Sequence, residues 1–187
     1  MTDVIDETLA SHNKTPDPVP EAGLFGRAVN ALGVLFAIGI LAAAGLLFYE
    51  VVMRYVFNAP TRWVHETVVF LSALAFVYGG LYAAAIDKHI RVVIFYDRLS
   101  TGLKRVFNVA ISLVCLIASL FFSWAAWLSV QRAAWTPQGD FRLETSGSAW
   151  NPPYPGLLKI FLFVILILLV VQFSIFTVNY LRKKGDH

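Results

Sequence analysis

The residues best suited to chemistry crowd into one short stretch, Phe48 to Glu66, which reads FYEVVMRYVFNAPTRWVHE. Glu50 and Arg54 stand four apart, the spacing at which opposite charges meet on one helix face. Asn58 and Pro60 should end that helix, because proline disfavours helical geometry in the residue before it. Thr61 is a candidate N-cap for a second helix starting at Arg62. Trp63 then falls at interface depth and Glu66 one turn further in, so Arg54 and Glu66 can meet across a hairpin. Two readings stay open. The stretch is an anchored turn at a membrane surface, or it is a docking point for another subunit.

Elsewhere the chain carries little chemistry. It has no GxGxxG and no GxxxxGK[ST], which excludes a nucleotide-driven motor. It has no HExxH and no CxxC, so no recognisable zinc or thiol-redox site. The histidines are His12, His65, His89 and His187, and none sits deep in an apolar block where a haem pair would be needed. Cys115 is a lone thiol inside an apolar block, most simply a small hydrophobe. We assign no catalytic, cofactor-binding or metal residue, and expect no enzyme activity and no cofactor.

These residues must be positioned by membrane helices. Of 187 residues, 58% are hydrophobic and 14% charged, with a mean hydropathy of +0.66. A soluble domain has about a quarter of its residues charged. Four blocks carry no charge: Ala28 to Tyr49, Thr67 to Ile86, Val106 to Gln131 and Ile160 to Leu181. Each has 20 residues or more, enough to cross a hydrocarbon core of about 30 Å. Spanning segments must satisfy their own backbone, which selects helices, and no period-two polarity supports a β-barrel. Four soluble core helices would need polar faces that the sequence lacks. The predicted fold is all-α: four transmembrane helices at about 28–52, 64–86, 104–131 and 157–181. Residues 1–26 are expected to be a disordered tail, and 27–187 a single four-helix membrane domain. The first span follows a long polar leader and is expected to be a permanent helix, not a cleaved signal.

Lysine and arginine set the orientation. The tail, second loop and C-terminus together hold ten of them, against five in the first and third loops. Both termini should therefore be cytoplasmic, in a multi-pass protein of the bacterial inner membrane. Trp135, Trp150 and Tyr154 flank a third loop rich in proline, as an extracytoplasmic aromatic belt does. In the second loop, KHIRVVIFYDRLSTGLKR, the residues Arg91, Arg98 and Arg105 recur every seventh position. That spacing fits a basic amphipathic helix at about 89–100 on the cytoplasmic leaflet. The competing reading is that the segment merely begins the third span. The small positive net charge is better read by location than as a nucleic-acid signal, and we expect no nucleic-acid partner.

No span carries a charge at its middle, where a transported ion would need one. The deepest polar groups are Ser72, Ser112, Ser119, Ser123, Gln172 and Ser174. Serines in membrane helices more often close helix contacts than bind substrate. Carriers of their own right are commonly built from broken helices or internal repeats. Gly79–Gly80 is the one candidate interruption, and no half resembles the other. The chain reads as an accessory or scaffold subunit. From the residues alone, the membrane anchor of a respiratory or other enzyme complex stands as the alternative, and an independent channel as a further one.

Arg54-Tyr55-Val56-Phe57-Asn58, then Trp63, Glu66, Gly79–Gly80 and His89-Ile90, in that order on a four-span chain, resemble the small membrane (DctQ-like) subunit of TRAP transporters (tripartite ATP-independent periplasmic transporters). The resemblance runs from about Ala28 to Leu181. It departs after His89-Ile90, where the family often has an aspartate and this chain has Val92 and Val93. The resemblance implies a non-catalytic scaffold paired with a large multi-span permease subunit. That partner would hold the sodium and substrate sites and move as an elevator. A periplasmic binding protein would deliver an organic anion, such as a dicarboxylate, to the outer face. Arg54, Asn58, Trp63, Glu66 and His89 are then structural or interface residues, and Arg91, Arg98 and Arg105 are basic groups at the membrane surface.

Overall fold

The computed structural model describes residues 22–86 and 101–182. They form four helices: α1 Gly23–Tyr55, α2 Trp63–Ala85, α3 Thr101–Ala134 and α4 Tyr154–Arg182. Among the described residues there is no strand, only an isolated bridge between Trp135 and Phe141. All four helices are long and apolar enough to cross a membrane. At about 1.5 Å per residue, α1 with its 33 residues runs about 50 Å and α2 with its 23 about 35 Å. The chain is an all-α, multi-pass membrane protein. The segment expected as a surface helix, 89–100, and with it His89, Arg91 and Arg98, lies outside the described residues; Arg105 falls on the first turns of α3.

The helices do not close into a square bundle. The broad contacts are α1 with α2, α2 with α4, and α4 with α3, giving a row in the order α1, α2, α4, α3. The outer members keep wide apolar faces uncovered. On α1 these include Leu35, Ile38 and Leu41, and on α3 Val114, Phe121 and Trp124. In lipid such exposure costs nothing, because acyl chains are as apolar as the side chains they touch.

Each seam has its own device. Between α1 and α2, the Tyr78 hydroxyl donates to the Val29 carbonyl, and its ring stacks on Phe36 at 3.9 Å between centroids. Gly33 opposes Tyr82 so closely that an added Cβ would lie 3.1 Å from the ring. Small residues therefore let the backbones approach, as they do in membrane helix pairs generally. Between α3 and α4 the seam is a stripe of buried small residues: Ser112, Ser119, Ser123, Ala126 and Ala133. The serine hydroxyls return to carbonyls three or four residues back, Ser119 to Leu116 at 2.9 Å and Ser123 to Ser119 at 2.7 Å. Thr177 of α4 also donates to the Ser112 hydroxyl at 3.1 Å. These serines close helix contacts. Gly79–Gly80 does not interrupt anything: α2 runs continuously through both, because the helix keeps its backbone bonds in lipid even at glycine.

Candidate functional site

The α1–α2 hairpin is organised by one carboxylate. Glu50 sits in the last turns of α1 and is buried. Its Oε1 accepts from Arg54 Nη2 at 2.8 Å, closing the pair that the four-residue spacing foretells. Its Oε2 accepts from the Thr61 backbone N–H at 3.1 Å and also from the Thr61 hydroxyl. Thr61 therefore does not cap α2 with its side chain. The cap position belongs to Arg62, which makes no side-chain cap bond. The reason is placement: both the N–H and the hydroxyl of Thr61 are held by the Glu50 carboxylate, one residue before the cap position, and charge-assisted bonds are the strong ones. Arg54, committed to Glu50, is not joined to Glu66.

Between these groups the chain reverses. Asn58 takes a left-handed φ of 50°, a conformation asparagine tolerates better than most residues. The Ala59 N–H returns to the Met53 carbonyl at 2.9 Å, using up an orphan acceptor at the end of α1. Trp63 remains partly exposed, with its ring 6.2 Å from that of Tyr49 across the hairpin.

The third loop is folded back on the helix ends. Arg142 and Glu144 donate their backbone N–H groups to the last carbonyls of α3, at Ala134 (2.9 Å) and Ala133 (2.7 Å). Gly156, in the first turn of α4, donates to the Glu144 carbonyl at 3.2 Å. A Cβ at Gly156 would lie 3.1 Å from both the N and the O of Glu144, so the approach requires glycine. The Glu144 side chain pairs with Lys159. The loop thus joins the end of α3 to the start of α4 and satisfies their free backbone groups.

Tyr154 ties this end to the hairpin. Its ring stacks on Phe70 of α2 at 4.3 Å and meets Trp150 edge-on at 5.5 Å. Its hydroxyl lies 3.3 Å from that of Thr67. Beside it opens a cavity of about 330 Å³ between α2, α4 and the third loop, walled by Glu66, His65, Phe70, Tyr154 and Ser146 among others. Glu66 Oε2 is buried there and has no hydrogen-bond partner.

Of the residues picked from sequence, Arg54, Asn58, Trp63 and Glu66 fall at this one end of the molecule. Their partners were harder to find. Glu50 as the pivot of Thr61 follows only from the turn geometry, and Tyr154 reads as a belt aromatic until its rings are placed. Gln172, among the deep polar groups, is fully buried on α4 with both amide atoms unpartnered. Among the described residues, no three of His, Cys, Asp and Glu gather where they could hold a metal ion.

The arrangement is a braced hairpin and loop at one end of an open row of membrane helices, a shape suited to contact. Comparison with known families agrees. The family model described as "Tripartite ATP-independent periplasmic transporters, DctQ component" matches residues 43–183, from the second half of α1 through α4. No curated protein sequence matches the chain. The matched stretch covers most of the molecule and all of the hairpin and loop just described, and the chain belongs to this family, the small membrane subunit of TRAP transporters.

Proposed function

We propose that this chain is the fixed, non-catalytic frame of a sodium-coupled importer of an organic anion. The large permease subunit carries the sodium and substrate sites and moves. The observation that supports the reading is the open row α1, α2, α4, α3. A row has two faces and no interior, so it offers no enclosed path for a polar solute. It does offer a long apolar face to a larger membrane partner. An elevator needs something held still against which to translate, and long helices with uncharged middles and interfacial aromatics suit that part.

In this reading the chain lies in the inner membrane with both termini cytoplasmic. The basic segment containing Arg91 and Arg98 rests on the cytoplasmic leaflet, where anionic headgroups attract lysine and arginine. The hairpin and third loop face the periplasm, on the side where a substrate-binding protein lands. No cofactor takes part in this subunit. The family match favours this reading over the anchor of a respiratory complex.

Reconstitution tests it. Vesicles holding this chain with its large subunit, supplied with the binding protein, should accumulate a carboxylate solute on a sodium gradient. Omitting this chain should abolish uptake, and the chain alone should move nothing. Sodium-driven uptake by the chain alone overturns the proposal, and so does full uptake by the large subunit without it.

A further inference from the structure

The cavity beside Glu66 points to a more specific contact, one that rests on the functional reading above. We propose that it is a socket for a single cationic side chain, lysine or arginine, of the large permease subunit, with Glu66 as the counter-ion.

The first ground is an imbalance of charge. Glu66 lies in the first turn of α2, and its Oε2 is buried without a hydrogen-bond partner. Among the described residues no cation pairs with it. Arg54 is held by Glu50, and Lys159 by Glu144. Arg62, one helical turn before Glu66 on the same helix, is exposed and forms no ion pair with it. A carboxylate oxygen shut off from water and left without a partner is unfavourable, and an incoming cation offsets part of that cost.

The second ground is shape and lining. At about 330 Å³ the cavity exceeds the roughly 30 Å³ share of one water many times over, and it takes a long side chain. Most of its wall is apolar and aromatic: Phe70 and Tyr154 stand stacked beside the carboxylate. An aliphatic stem ending in a positive charge matches that combination, the stem against the rings and the charge on Glu66. An anion matches neither, and a neutral donor bonds to the carboxylate without balancing its charge. The cavity also opens beside the α2–α4 seam and the third loop, so a partner helix lying against the row reaches it without displacing a helix.

The experiment uses the co-expressed pair of membrane subunits, purified in mild detergent through a tag on this chain. Glu66→Gln keeps the shape and removes the charge. It should cut recovery of the large subunit at least about tenfold at moderate salt, the loss that follows from leaving a buried partner charge unpaired. Glu66→Asp, which keeps the charge on a shorter stem, should restore part of that loss. Glu66→Arg should abolish recovery, and reversal of one lysine or arginine of the large subunit to glutamate should rescue it. Undiminished recovery with Glu66→Gln overturns the socket. So does the finding, by native mass spectrometry, that Glu66→Gln sheds a bound amine-headgroup lipid while the large subunit stays. If the unaltered chain recovers no large subunit, the functional reading falls, and the socket falls with it.

Discussion

The Glu50 carboxylate reaches eleven residues ahead to hold Thr61, accepting from both its backbone N–H, at 3.1 Å, and its hydroxyl. One side chain at the end of α1 therefore fixes where α2 begins. The same carboxylate holds Arg54, so three residues form one unit.

Residues that act as a unit lose their contributions non-additively. Glu50→Ala should lower the thermal midpoint of the purified chain more than Arg54→Ala or Thr61→Val does. The double variant Arg54→Ala/Thr61→Val should fall no further than Glu50→Ala. Thermal unfolding followed by tryptophan fluorescence measures this. Equal effects of all three single variants would show that Glu50 is not the pivot.

Gly156 should tolerate no side chain. A methyl group there presses on the Glu144 backbone, which cannot swing aside as a side chain would. Gly156→Ala is expected to cost about 1–3 kcal/mol, the usual range for overpacking. Gly33→Ala should cost less, because its obstacle is the Tyr82 ring, which can tilt. Unfolding in mixed micelles ranks the two.

The α3–α4 seam should respond to bulk far more than to polarity. Ser112→Ala loses one cross-helix hydroxyl contact, worth about 0.6 kcal/mol by analogy with other membrane helices. Ser119→Leu and Ser123→Leu force the helices apart and should cost several times as much. Greater loss from Ser112→Ala than from Ser119→Leu would mean that hydrogen bonds, not close packing, hold the seam.

Gln172 is fully buried with neither amide atom bonded. Replacing an unsatisfied polar group by an apolar one of similar size should stabilise the chain by about 1–2 kcal/mol. Gln172→Leu and Gln172→Met should therefore both raise the thermal midpoint of the isolated chain. A lowered midpoint for both would show that the amide is engaged.

The orientation is checked by labelling. In a Cys115→Ala background, a cysteine at Ser148, in the third loop, should react with a membrane-impermeant maleimide added outside intact cells. A cysteine at Arg182 should react only after the cells are broken. The reverse pattern would invert the topology drawn from the lysine and arginine counts.

The class of fold was written in the sequence because it depends on local quantities. Uncharged blocks of 20 residues or more can only be spanning helices, and each block satisfies its own backbone. The pairing of Glu50 with Arg54 was legible for the same reason, since one helical turn sets it. Thr61 was misplaced as a side-chain cap because the carboxylate that holds it, Glu50, lies eleven residues away, beyond any local pattern.

Tertiary structure alone decided the order of the helices. Apolar spans look alike on every face, with α1 and α4 showing almost no preferred side, so hydropathy cannot say which helix meets which. The seams were settled by small residues and single hydroxyls: Gly33 against Tyr82, Tyr78 on Val29, and the serines of α3 against α4. The same holds for Glu66. Its position near a span end was plain from the sequence, but its lack of a partner depends on which cations the fold brings close, and the fold gives Arg54 to Glu50 and Lys159 to Glu144.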